Sequence, residues 1–193
     1  MNPQPAPFGR LILVTGAARS GKSEWAEALA KATDNQVIYV ATALVDPTDR
    51  EWVKRIEQHQ QRRPADWTTV QAPIDLAATI MGSPPLCCLL VDSLGTWVAN
   101  LLEQQEEIWE KTLQELIDSL QQAQADIIIV AEETGWGVVP AYAAGRLFRD
   151  RTGNAVRRIG SLADSVYLVT GGYALDLSVL GFPLPPPAKR LLT

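Results

Sequence analysis

The chain holds one histidine, two cysteines and two methionines in 193 residues, and aromatic residues make up 7% of it. The cysteines, Cys87 and Cys88, are adjacent inside an apolar run. Neighbouring strand residues point to opposite faces, so a bridge between them would be strained. That excludes a disulfide-stapled fold and leads us to expect buried thiols in a reducing cytoplasm. Basic residues are not in excess: the formal net charge is −5, which argues against non-specific nucleic-acid binding. No apolar run approaches the ~20 residues that span a bilayer, so no membrane span is expected. Residues 1–7 lack a basic segment followed by an apolar one, so no signal peptide is expected either. Internal repeats are absent.

With 47% hydrophobic residues, the chain is long enough to bury a sizeable single core. The expected organisation is a short N-terminal arm over residues 1–8, one domain over 9–181 and a proline-rich tail over 182–193. Apolar runs alternate with helical patterns, which predicts an α/β fold with a mostly parallel central sheet flanked by helices.

The richest stretch is Gly16-Ala17-Ala18-Arg19-Ser20-Gly21-Lys22-Ser23. It follows the apolar run 11–15 and opens a helical pattern. Strand, glycine-bounded loop, Lys-Ser and helix together make a P-loop in its required context. Glycine lets backbone N–H groups approach phosphate oxygens, and the helix N-terminus adds partial positive charge. Lys22 is suited to the outer phosphates and the Ser23 hydroxyl to Mg²⁺. The expected fold class is therefore a P-loop NTPase, RecA-like.

Further strands are expected over 36–42, 67–70, 86–92, 126–131, 165–170 and 174–179. Helices are expected over 75–81, 106–124 and 155–162, with another carrying residues 145–150. Thr48 with Glu51 forms a capping box, which predicts a helix running to Gln61. Asp92 ends an apolar strand. It is suited to a Mg²⁺-proximal carboxylate, and the alternative is a cap for a helix beginning near Ser93. His59 lies among Arg55, Arg62 and Arg63. Neutral imidazole is a competent nucleophile toward an NTP α-phosphate, and arginines hold anionic phosphates. The alternative is a solvated or core histidine.

These segments resemble the bifunctional adenosylcobinamide kinase / adenosylcobinamide-phosphate guanylyltransferase family of cobalamin biosynthesis. The resemblance rests on Gly16 to Ser23, on Tyr39 to Ala43, and on Arg55-Ile56, His59, Arg63-Pro64 and Trp67. It extends to Asp92 with Trp97 to Leu102, to Glu133 with the Gly-Trp-Gly-Val-Val-Pro run at 135–140, to Gly145-Arg146 with Phe148-Arg149-Asp150, and to Ala163-Asp164.

It implies phosphorylation of adenosylcobinamide by ATP or GTP. GMP then passes from GTP through a histidine, here His59, to the phosphorylated corrinoid. It implies nucleotide contacts on the P-loop, on Ala41, Thr42 and Ala43, on Gln60, Gln61, Arg62 and Arg63, and on Asp92. It also implies Mg²⁺ and a homotrimer with sites between subunits. The sequence departs from the family at Gln58, Gln71, Glu132 and Val156-Arg157, and in its tail. A kinase that has lost guanylyl transfer, or a P-loop regulatory module, are the competing expectations.

Overall fold

The computed structural model describes residues 8–44, 48, 50, 54, 56, 60–61 and 63–184. Strands β1 (Leu11–Gly16), β2 (Gln36–Ala41), β3 (Thr68–Gln71), β4 (Cys87–Asp92), β5 (Asp126–Glu132), β6 (Ser165–Thr170) and β7 (Tyr173–Asp176) form one sheet. Their order is β3-β2-β4-β5-β1-β6-β7. Every pairing is parallel except β6 with β7. The helices are α1 (Lys22–Lys31), α2 (Leu76–Met81), α3 (Leu94–Asn100), α4 (Glu106–Gln122), α5 (Ala143–Gly160) and α6 (Leu177–Leu180). Arg50, Lys54, Ile56, Gln60 and Gln61 are helical too. The expectations for Gln58, His59, Arg62, the capping-box Glu51, residues 1–7 and residues 185–193 fall outside the described residues.

The central strands are apolar throughout because both faces are covered. Alternate residues go to separate cores. Leu11, Leu13, Leu89, Val91, Ile127 and Ile129 pack under α2, α3, α4 and α5. Val14, Tyr39, Ala41, Leu90, Ile128 and Val130 pack under α1, through Ala26 and Ala30. Cys87 joins the first core and Cys88 the second, and both are free thiols, as their adjacency on a strand requires. A fully buried leucine or isoleucine contributes about 1.5–3 kcal/mol, so this two-sided burial is the main support of the sheet.

Most ends lie within one residue of expectation, as with β3 at Thr68–Gln71 against 67–70, and three departures are larger. The helical patterns over 145–150 and 155–162 are one helix, α5. Its inward stripe of Phe148, Arg151, Thr152, Ala155 and Ile159 is unbroken. Gly153 sits on its open side, where an added Cβ would meet nothing within 4 Å. The last strand spans Tyr173–Asp176 and not 174–179. Gly171 and Gly172, at φ of 58° and 83°, make a two-residue turn that only glycine adopts freely, folding β7 antiparallel onto β6. Asp176 then caps α6 by accepting from Ser178 N, so the chain turns helical there. α4 ends at Gln122, two residues short of the expected 124.

Candidate active site

All the carboxyl ends of the parallel strands lie on one edge, where the register sets Ala41 beside Asp92 and Gly16 beside Glu132. Ligands in open α/β sheets bind at this edge. Between β1 and α1 the loop closes through Ser20 N donating to Ala17 O at 3.2 Å. Gly21 has φ 93°, and a Cβ on Gly16 would lie 2.5 Å from Val169 O. Both positions therefore require glycine. Ala17, Ala18 and Arg19 form the exposed crest of the loop. Lys22 is buried at the first turn of α1, and its Nζ reaches back to Ala17 O at 3.4 Å.

A solvent-open cleft begins at this loop. Of the expected residues it gathers Lys22, Ser23, Ala41, Ala43, Gln60, Arg63 and Asp92 along its walls. Gln61 is exposed and does not line it. Thr42 is fully buried, and its side chain is used structurally. Its Oγ1 donates to Ser93 O at 2.8 Å and accepts from Ser93 N at 2.9 Å. Asn100 Nδ2 donates to Thr42 O and Pro73 O, which pins the loop after β2 to α3. The alternative role for Asp92, a helix cap, is taken by Ser93, whose hydroxyl accepts from Thr96 N.

The cleft also takes in Tyr39, Ile56, Ser93 and Thr96, which were not among the expected contacts, and Gln71 and Glu132, two of the departures from the family noted in the sequence. Tyr39 Oη donates to Asp92 Oδ2 at 2.9 Å, and the Arg63 guanidinium lies over its ring, 3.4 Å from the centroid. Burial, then the Asp92 charge, push the Tyr39 hydroxyl far above its ordinary range, so it stays a donor. Glu132 accepts from Ser93 Oγ at 2.6 Å and from Gly95 N at 2.9 Å. Burial raises its carboxyl above the usual range, against the opposing pull of the Ser93 hydroxyl and of Lys22. Strand parity is the signal that could have found both. Tyr39, Ala41, Leu90, Asp92, Val130 and Glu132 share the α1 side of the sheet with the P-loop helix.

The donor chemistry fits Mg²⁺. Ser23 and Asp92 offer hard oxygen atoms beside Lys22. Among the described residues no group of three or more His, Cys, Asp or Glu side chains gathers as a metal cage. Mg²⁺ suits such a place, because it takes one or two carboxylates and completes its shell with phosphate and water.

A family pattern described as cobinamide kinase / cobinamide phosphate guanyltransferase matches residues 12–177. The chain belongs to that family. Two curated members of the cobinamide kinase / guanyltransferase family illustrate the likeness. The bifunctional adenosylcobalamin biosynthesis protein CobU of Salmonella typhimurium is 36% identical over 182 residues, covering 86% of this chain and 99% of its own length. The bifunctional adenosylcobalamin biosynthesis protein CobP of Pseudomonas aeruginosa is 38% identical over 176 residues, covering 89% and 98%. A solved chain from Pyrococcus horikoshii shares the fold alone, with TM-score 0.55, 7% identity and 95% of both chains covered.

The family's Gly-Trp-Gly-Val-Val-Pro run does not line the cleft. Trp136, Val138 and Val139 project into solvent, while Arg146 Nη1 donates to Pro140 O and Ala141 O and anchors the end of the loop to α5. Trp97, from another family segment, is core: it packs against Trp109 and donates to Ile74 O at 2.8 Å.

Proposed function

We propose that this chain phosphorylates the hydroxyl of adenosylcobinamide with ATP or GTP and then transfers GMP from GTP to the product, giving adenosylcobinamide-GDP. The observation that carries the reading is that Lys22 of the P-loop and Gln60 and Arg63, which flank the guanylyl-transfer segment, line one cleft. In the kinase step the substrate hydroxyl attacks the γ-phosphorus, the bond to the β-phosphate oxygen breaks, and the hydroxyl proton is released. Lys22 and the P-loop N–H groups neutralise the phosphate charge that develops. Mg²⁺, held by Ser23 and Asp92, supplies further neutralisation when bound. In the second step an imidazole nitrogen of His59 attacks the α-phosphorus of GTP and pyrophosphate leaves. A phosphate oxygen of the corrinoid then displaces the imidazole, which regenerates the histidine. Arg63 is placed to hold the anionic groups.

Cytoplasmic location belongs to the same reading, supported by the free thiols Cys87 and Cys88. Among the described residues no helix is long and apolar enough to cross a membrane. A homotrimer belongs to it too, supported by two exposed apolar segments. One holds Trp136, Val138, Val139 and Tyr142, and the other Tyr173, Val179, Leu180 and Phe182. Exposed apolar surface of this kind marks association.

The test is incubation with GTP labelled at the α-phosphate, with Mg²⁺ and no corrinoid. Acid-labile, base-stable label should remain on denatured wild type, be absent from His59→Ala, and chase onto phosphorylated adenosylcobinamide. A kinase-only enzyme is the second reading. It is favoured by Gln71 and Glu132, two cleft residues that depart from the family. Adenosylcobinamide phosphorylation without any protein-bound label would establish it.

A further inference from the structure

Two parts of the cleft meet at one buried side chain. Tyr39 is 2% exposed. Its hydroxyl donates to Asp92, on the metal-facing side, and its ring face carries the guanidinium of Arg63, on the side next to the guanylyl-transfer segment. Little else fixes that guanidinium among the described residues. Its Nη1 donates to Thr69 Oγ1 at 3.3 Å, and its Nε is buried with no hydrogen-bond partner. A tyrosine is the one side chain that makes both contacts, because phenylalanine offers only the face and the aliphatic residues offer neither.

We infer that Tyr39 is a positioning residue that orients Asp92 through its hydroxyl and Arg63 through its ring, so that the metal-binding and phosphate-binding sides of the cleft keep one fixed geometry. Substitution separates the hydroxyl from the ring. The hydroxyl donates to Asp92 and also feels the neighbouring Arg63 guanidinium. A hydrogen bond to a charged group governs which carboxylate rotamer is populated, and with it the affinity for a hard cation. The ring acts on Arg63 by cation–π attraction and by area of contact, and it also packs in the core on the α1 side. This inference rests on the nucleotide-binding role given above to Asp92 and Arg63. It adds a residue argued to act through Asp92 and Arg63.

The experiment measures binding of a fluorescent GTP analogue, first in chelator and then across a Mg²⁺ titration, so that no corrinoid and no turnover are needed. Tyr39→Phe keeps the ring and removes one oxygen atom. It should raise the Mg²⁺ concentration for half-maximal effect about tenfold, with a much smaller change in metal-free affinity. Tyr39→Leu removes both contacts. It should show the same rise in Mg²⁺ requirement and weaken metal-free binding about fivefold in addition.

A wild-type Mg²⁺ requirement in Tyr39→Phe overturns the inference. So does equal weakening of metal-free binding in both variants, which is what a merely structural tyrosine would give. Tyr39→Phe alone carries the test if Tyr39→Leu does not fold. Absence of corrinoid turnover in wild type would sink the proposed function and leave these binding readouts standing.

Discussion

Glu132 commits both carboxylate oxygens to the start of α3, one to Ser93 Oγ and one to Gly95 N. Glu132→Ala leaves the Gly95 N–H without its acceptor and the Ser93 hydroxyl with Thr96 Oγ1 alone as acceptor. It should lower stability by about 2–3 kcal/mol, read by urea denaturation. Gly95→Ala should be at least as damaging, since the new Cβ would fall 2.1 Å from Glu132 Oε2. Residue identity told only part of this. That Lys22, Ser23 and Asp92 gather at one strand edge was legible because the signals are local: a glycine-bounded loop before a helix and an acid at a strand end. Thr42 was expected at the nucleotide because the family resemblance implies a contact there. Its position on the opposite face to Ala41, and the buried Ser93 backbone waiting there, are properties of the folded sheet. The contact of Tyr39 with Asp92 was hidden in the other direction, since the tyrosine looks ordinary until β2 and β4 lie side by side.

The loop between α3 and α4 is held from a distance by α5. Arg151 is 5% exposed and donates to Leu101 O, Leu102 O and Gln104 O, with Glu106 beside it and the Trp109 ring under it. The last carbonyls of a helix have no partners within it, and a guanidinium with fixed, planar donors satisfies several at once. Arg151→Met should therefore cost about 3 kcal/mol, by leaving buried carbonyls unpaired. Arg151→Lys should recover only part of this, as judged by thermal unfolding. Most element types and centres were legible from apolar periodicity. The exceptions have different causes: packing overrides the local preference of Thr152-Gly153-Asn154, whereas a local turn and cap cut short the strand pattern over Ala174 to Val179. The inward stripe of α5 carries the helix through a glycine, and the Gly171-Gly172 turn with the Asp176 cap decides where β7 begins and ends.

At the scale of the molecule, the sheet order could not be read from the chain, because β1 ends up between β5 and β6 rather than next to β2. The proposed homotrimer predicts a solution mass near three times 21.1 kDa by light scattering. Val138→Asp, at a site 95% exposed in the single chain, should shift the mass toward one chain without changing the far-ultraviolet circular dichroism. The partition of the core has a further consequence. Cys87 and Cys88 are consecutive, yet each belongs to a different half of the interior, and burial pushes the Cys88 thiol up to about 11. Each is sealed from alkylating reagents until its own side opens, and the helical residues packed into the Cys88 core, Ala26 and Ala30, belong to α1, whose first turn belongs to the P-loop. The two thiols are thus independent clocks for the two sides of the sheet. In single-cysteine variants, GTP at a hundredfold excess over its dissociation constant should slow alkylation of Cys88 by up to about a hundredfold, and should slow Cys87 less.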